Sequence, residues 1–406
     1  MSSRYLETSS KDNRSIYSGV ALTARLSVFY GFLFLSIGVF VPFWPVWLES
    51  KGLSAGDIGL LLGSGTVLKI IGSPIIARLV DRNGNRQRAI LLLSLFSLLS
   101  VGVFFIAEGY LALLAATIML AFFFSPIGPL TDNLTLMASA TGQVDYGRVR
   151  LWGSVSYALA AILGGMWLHG RDEDWILWLV FGTTALILAS AFLLPKVNKK
   201  TVHTKPQPLL PLLRNPVFWM FLLGAGLAQG SHVMFYGFST IYWQSIGISR
   251  EIIGYLWAIG VVAEIFLFAF ATATLKKIDP VGLLLLGAGA GVLRWTFTGS
   301  ADNLGFLFFL QALHGITFGA AHLGAMFFLA KAIPAGLSAS AQSLYSSVSL
   351  GLIFAIAMPS AGILYSLFGV EAFYAMAAMS GTGFVIIIAL SRNWDRGELR
   401  IGKTDR

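Results

Sequence analysis

Long apolar stretches separated by short polar turns recur along the chain from residue 25 to residue 391. A helix needs about 20 predominantly apolar residues to cross a bilayer. Twelve stretches of that order lie near 25–48, 56–79, 89–107, 110–137, 149–169, 175–195, 216–244, 252–275, 281–299, 303–330, 338–365 and 370–391. Most are rich in Gly, Ala and Ser, as expected where helices pack closely in lipid. The longest polar interruption, KVNKKTVHTKPQPLLPLLRN at 196–215, is proline-rich and carries five Lys/Arg. It reads as a linker. The pattern predicts an N-terminal tail at 1–24, six-helix bundles at 25–195 and 216–392, and a C-terminal tail at 393–406. The fold class expected is an all-α membrane protein of twelve transmembrane helices in two pseudo-symmetric bundles.

Composition agrees: 56% of residues are hydrophobic, 12% are charged, and the mean hydropathy is +0.77. Such values belong to a polytopic membrane protein. Residues 1–24 carry no apolar core of the signal-peptide type, so the first span is expected to direct insertion. The chain has no cysteine, which excludes disulfides, thiolate catalysis and cysteine metal sites. With the N-terminus inside, cytoplasmic segments hold 22 Lys/Arg and outside loops hold 3. That asymmetry predicts a multi-pass protein of the inner (plasma) membrane with both termini cytoplasmic. It also makes the net charge of +9 a topological signal, with no nucleic-acid partner expected.

A repeat appears at an offset of 195 residues. KGLSAGDIGLLLGSGTVLK at 51–69 aligns with IGISREIIGYLWAIGVVAE at 246–264, so Gly52, Ser54 and Gly59 fall on Gly247, Ser249 and Gly254. Lys69 falls on Glu264, placing opposite charges at the same depth. Parallel six-span halves with a site between them form a transporter architecture.

Ionisable groups at membrane depth usually face a protein interior or a water-filled cavity. Asp132 lies deep in the fourth span, and Arg148 and Arg150 open the fifth. Arg150, Ser154 and Tyr157 follow i, i+4, i+7 spacing, which puts them on one helical face. They form a candidate solute site, or else Arg150 is a headgroup anchor paired with Asp132. Spans 1 to 5 hold Arg25, Lys69, Arg148 and Arg150 against Asp132 alone. Arg25 and Arg148 can snorkel to the cytoplasmic face, leaving a surplus cation for a substrate anion. In the second half, Glu264 and Arg294 lie mid-span, and His314 and His322 occupy the tenth span with Gln311 one turn before His314. Desolvation disfavours an ionised Glu264 and a nearby Arg294 would favour it. Parting of the two on conformational change would therefore drive proton exchange. The histidines read either as relay groups or as satisfied hydrogen-bonding groups.

The loop after the second span, ARLVDRNGNRQR, resembles the signature of the major facilitator superfamily through Asp81, Arg82, Gly84, Arg86 and Arg88, with Ala77 where glycine is usual. YGRVRLWGSVSYALAAILGG resembles the fifth helix of lactose permease and its relatives. By that resemblance Arg150 matches the sugar-binding arginine, Asp132 its acidic partner, and Tyr157 the tryptophan that stacks on the sugar. Glu264, Arg294 and His314 match the same family's Glu, Arg and His arrangement. Its proton-carrying glutamate is Thr317 here, its tenth-helix lysine is Gln311, and Gln229, His232 and Tyr236 replace its acidic pair on the seventh helix. LHGITFGAAHLGAM and VRLWGS resemble the phenylpropionate permease branch. The implied fold is the major facilitator fold.

No Walker motif or clustered metal-ligand set occurs, so neither an enzyme nor a cofactor or metal is expected. The sequence reading is a proton-coupled symporter importing an aromatic or short-chain carboxylate. A sugar or nucleoside symporter and a drug/proton antiporter are the alternatives. The candidate substrate residues are Asp132, Arg150, Tyr157, Ser154, Lys69, Gln229, His232 and Tyr236. Those for coupling are Glu264, Arg294, His314 and His322, and Asp81, Arg82, Gly84, Arg86 and Arg88 form the gating loop. Its partners are the small-molecule substrate, protons and membrane lipid, and the chain is expected to act as a monomer.

Overall fold

The computed structural model describes residues 19–140, 142, 144–195, 210–271 and 277–399. Most of the 196–215 linker therefore lies outside the described residues. Eleven helical stretches are long and apolar enough to cross a membrane, the last being Ser340–Asn393 with 54 residues. A straight helix of that length would measure about 80 Å, more than twice a ~30 Å hydrocarbon core. The chain instead turns at Gly369, with φ of 57°, and a short 3-10 segment Gly369–Ala372 leads into the next helix. Ser340–Asn393 is thus two crossings, and the spans number twelve among the described residues.

The first half comprises α1 (Gly19–Ser50), α2 (Ala55–Asn83), α3 (Arg86–Val103), α4 (Gly109–Ser139), α5 (Tyr146–Leu168) and α6 (Asp174–Ala191). The second comprises α7 (Pro216–Ser245), α8 (Arg250–Ala269), α9 (Pro280–Thr298) and α10 (Leu304–Ala332). It ends with α11, built from Ser338–Leu344, Tyr345–Leu352 and Ile353–Phe368, and α12 (Phe373–Asn393). Several spans are interrupted. α4 breaks before Ile127 at Pro126, which has no N–H to continue the ladder. α8, α10 and α11 pass through π-helical segments at Leu267–Ala271, Gly315–Ala320 and Tyr345–Leu352, a local geometry that recurs at functional sites.

The sequence repeat has a structural counterpart. Gly52 and Gly247 both take positive φ, 81° and 86°, which glycine adopts without steric cost. Ser54 and Ser249 then cap α2 and α8. The Ser54 hydroxyl accepts from the Asp57 N–H at 3.2 Å, and the Ser249 hydroxyl accepts from the Ile252 N–H at 3.4 Å. Each cap satisfies a donor the helix start would leave orphaned.

One turn into each helix the repeat places Gly59 and Gly254, and here the two halves touch backbone to backbone. A Cβ at Gly59 would lie 2.8 Å from the Met358 carbonyl of α11, and one at Gly254 would overlap the Ala161 carbonyl of α5. Arg250 adds a polar latch across the same end. Its guanidinium donates to the Leu168 and Arg171 carbonyls at 3.2 and 2.7 Å and forms an ion pair with Glu173. The halves meet at this end, and deeper along the same helices Arg150 of α5 and Glu264 of α8 face a common cavity.

Any side chain at Gly254 is expected to wedge this contact open. Because the chain lacks cysteine, a single Val41→Cys, on the cavity wall, gives a clean reporter. In a Gly254→Val background it should react faster with an impermeant thiol reagent applied from the Ser54/Ser249 side. Unchanged labelling would show that the glycine contact is not the seal.

Candidate functional site

Between the halves lies a cavity of about 590 Å³. The α5 stripe faces it as the periodicity predicts: Arg150, Ser154 and Tyr157 all line the wall, with Lys69 from α2. The second half contributes Tyr236 from α7, Glu264 from α8 and His314 from α10. The two charges of the repeat, Lys69 and Glu264, thus enter one cavity from opposite halves.

Aromatic packing holds Arg150. Its guanidinium carbon lies 4.1 Å from the Phe34 ring centroid and 6.0 Å from that of Tyr30, the range of cation–π attraction. The residue one turn on must be small. A Cβ at Gly153 would sit 2.8 Å from Phe34 and 3.1 Å from an Arg150 nitrogen. Among the described residues Arg150 has no carboxylate at ion-pair distance, and Lys69 has neither a hydrogen bond nor an ion pair. Glu264 likewise has no hydrogen-bond or ion-pair partner there. Its stem packs near Gly319 of the α10 π segment, where an added Cβ would lie 3.7 Å from the Glu264 Cγ.

The structure separates two pairs that sequence reasoning joined. Asp132 is not the ion-pair partner of Arg150. It accepts hydrogen bonds from the hydroxyls of Tyr30 at 2.5 Å and Tyr146 at 3.1 Å, and it is absent from the cavity wall. Arg294 is not beside Glu264. Its guanidinium is buried and donates to Gln311 Oε1 at 2.7 Å, Thr317 Oγ1 at 3.0 Å and His314 Nδ1 at 3.1 Å. Its face packs on Trp295 at 4.4 Å and Phe235 at 5.0 Å.

The Arg294 contacts also fix proton positions. A guanidinium only donates, so His314 Nδ1 must accept and the proton of the neutral ring sits on Nε2. Thr317, accepting from Arg294, shares a hydrogen bond with His232 Nε2 at 3.1 Å, and His232 Nδ1–H donates to the Gln229 carbonyl at 3.0 Å. His314, accepting at Nδ1, is therefore a neutral hydrogen-bonding group in this arrangement. Gln229 and His232 are buried behind the wall, with the Gln229 amide donating to the Phe318 carbonyl at 3.2 Å. His322 lies outside the cavity lining and stacks on Phe318 at 6.1 Å.

The gating loop lies apart from the cavity. Gly84 ends α2 with φ of 72°, buried Arg86 donates to Asn133 Oδ1 at 2.7 Å, and the Arg88 N–H donates to Asn85. The side chains of Asp81 and Arg82 are outside the described residues. Arg148 is exposed beside Asp145 at 3.7 Å, in keeping with snorkelling. Sequence reasoning missed Phe34, Tyr30 and Tyr146. The i, i+4 spacing of Tyr30 and Phe34 shows a shared face, but nothing in a single sequence says that this face meets α5.

Replacing Arg294 with Leu would strand two buried acceptors, Gln311 Oε1 and His314 Nδ1, each costing about 1–3 kcal/mol. Thermal unfolding in detergent should fall by several degrees, whereas Lys69→Met should melt close to wild type. An Arg294→Leu variant as stable as wild type would refute the structural role.

Comparison with known proteins gives a consistent picture. The model of the MFS_1 like family matches residues 23–376. A probable 3-phenylpropionic acid transporter of Escherichia coli is 36% identical over 363 residues, covering 88% of this chain and 95% of that protein. A lactose permease of Citrobacter freundii is 23% identical over 274 residues, covering 62% and 65%. Among solved structures, a variant of the nucleoside transporter NupG superposes with a TM-score of 0.81 at 13% identity, covering 91% of this chain and 99% of that one. At that identity the likeness speaks for the fold alone. Twelve helices in two facing halves, a cavity between them and a family match across most of the chain lead to one assignment: the protein belongs to the MFS_1 like family and is a transporter of the major facilitator superfamily.

Proposed function

We propose that the chain imports a small organic anion, an aromatic or short-chain carboxylate, together with protons by alternating exposure of the central cavity. The observation that carries this reading is the cavity's charge set. Among the described residues Lys69 and Arg150 enter it without a carboxylate at ion-pair distance, and Glu264 enters it without a cation in contact. Isolated charges removed from bulk water are expensive, and an anionic solute relieves the two cations. Arginine and lysine both bind carboxylates through charge-assisted hydrogen bonds. The rings of Phe34, Phe40, Trp44, Tyr236 and Trp257 on the same wall suit an apolar body. The likeness to a probable 3-phenylpropionic acid transporter points the same way.

Coupling follows from charge balance. The empty cavity with Glu264 ionised holds two cations and one anion. When one carboxylate and one proton enter, Glu264 becomes neutral and the substrate supplies the negative charge, so the net charge is unchanged. Arg150 links the two events, because it lines the same cavity as Glu264 and is engaged by the incoming carboxylate. On this scheme Glu264 carries the proton, while Arg294, His232 and His314 form the rigid wall behind it.

In proteoliposomes, accumulation of a labelled aromatic carboxylate should follow an imposed pH gradient and ignore an imposed membrane potential. Glu264→Gln should abolish accumulation and keep exchange, and Arg150→Ala should abolish binding. Competition by neutral sugars or nucleosides, with carboxylates inert, would replace the anion reading with the sugar or nucleoside one. Proton-driven extrusion of cationic drugs would replace it with antiport.

The charge asymmetry of 22 inside to 3 outside supports a plasma-membrane orientation with both termini and the linker cytoplasmic. The Gly59/Gly254 end then faces outward. Reporter fusions at residue 205 and at the C-terminus should be active only as cytoplasmic reporters. A periplasmic signal from either would reverse the assignment of the closed end.

A further inference from the structure

A second cavity, of about 210 Å³, lies inside the first half among α1, α2, α4 and α6. It adjoins the central cavity: Phe40, Trp44, Thr66 and Lys69 line both. Packed interiors leave few voids larger than a water molecule, so a chamber of this size beside a solute cavity is not ordinary packing. An apolar cavity of about 150 Å³ can hold benzene, and this one is larger.

The wall chemistry is that of a ring pocket. Trp44 stacks on Phe40 at 4.9 Å and meets the Phe104 edge at 4.9 Å. The hydroxyls of Thr66, Thr117 and Thr184 are spent on carbonyls of their own helices, Leu62, Leu113 and Val180, at 3.2, 2.8 and 2.7 Å. Their donors are thus unavailable to a ligand. The charged group of the lining is Lys69, at the boundary with the central cavity, and it has no partner among the described residues.

We propose that this chamber is the aryl subsite of the transporter. The substrate carboxylate sits at Lys69 in the central cavity and the aromatic ring enters the chamber beside the packed Trp44–Phe104 pair. The inference rests on the organic-anion reading and adds a size rule to it. An arylalkanoate fills both compartments, whereas a short alkanoate fills only the charged one. Discrimination between them then belongs to the first half alone, away from the Glu264 side.

Gly65 offers a direct test. A Cβ there would meet Ala121 Cβ at 3.5 Å and Thr117 Cγ2 at 3.9 Å, ordinary contacts, so a side chain can enter the chamber without moving backbone. Binding of labelled 3-phenylpropionate and labelled propionate to the full-length protein in proteoliposomes would be compared in wild type, Gly65→Leu and Thr184→Leu. Each filled variant should weaken 3-phenylpropionate roughly tenfold or more, the scale on which a hydrophobic pocket discriminates, and leave propionate unchanged. Lys69→Met should weaken both acids. Filled variants that bind propionate normally and keep the wild-type ratio would overturn the subsite while leaving the anion reading intact, as would filled variants that lose both acids together. A wild type that binds neither acid would overturn the anion reading and the subsite with it.

Discussion

The contact on which this structure depends is the backbone approach of α2 to α11 and of α5 to α8 at one end of the molecule. Gly59 and Gly254 permit it, and no other residue type would, because a Cβ meets a carbonyl oxygen of the opposing helix in both places. Ten residues further along the same two helices come Lys69 and Glu264. At 1.5 Å per residue the charges lie about 15 Å from the seal. Each helix is therefore a rigid rod carrying a hinge contact at one point and a cavity charge at another. A tilt of either half that breaks the glycine contact must also move its charge. The 195-residue repeat preserves both the glycine and the charged position, so the duplication conserves a mechanical relation as well as a local motif.

Much of this was legible because it depends on periodicity along one helix. Spans follow from apolar length, the α5 stripe from i, i+4, i+7 spacing, and the matched entries of α2 and α8 from the 195-residue repeat. What was not legible depends on which face of one helix meets which face of another. Asp132 and Arg150 are near in sequence and opposite in charge, so pairing them was reasonable. Two tyrosine hydroxyls, one of them on α1, satisfy the carboxylate instead. The same limit applies to Glu264 and Arg294, whose helices both pack against α10 but carry the two side chains into different environments. The π segments of α8, α10 and α11 leave no mark in composition, since they change hydrogen-bond register without changing hydrophobicity.

Two ways of housing a cation within the membrane coexist here, and the difference separates structure from transport. Arg294 is closed off: three neutral acceptors and two aromatic faces surround it, and its donors orient the histidines and Thr317. Such a shell gains nothing from a passing solute and would be disrupted by one. Lys69 and Arg150 are the reverse case: the Arg150 guanidinium rests on the Phe34 ring, Lys69 has no hydrogen bond or ion pair among the described residues, and both line the cavity. A neutral histidine locked by an arginine is also poorly placed to accept a proton. Doing so at His314 Nδ1 would set two donors against each other and undo the contact that positions the ring. The proposed proton coupling therefore calls for a group with no competing partner, and among the described titratable side chains of that wall Glu264 is the carboxyl that meets the condition.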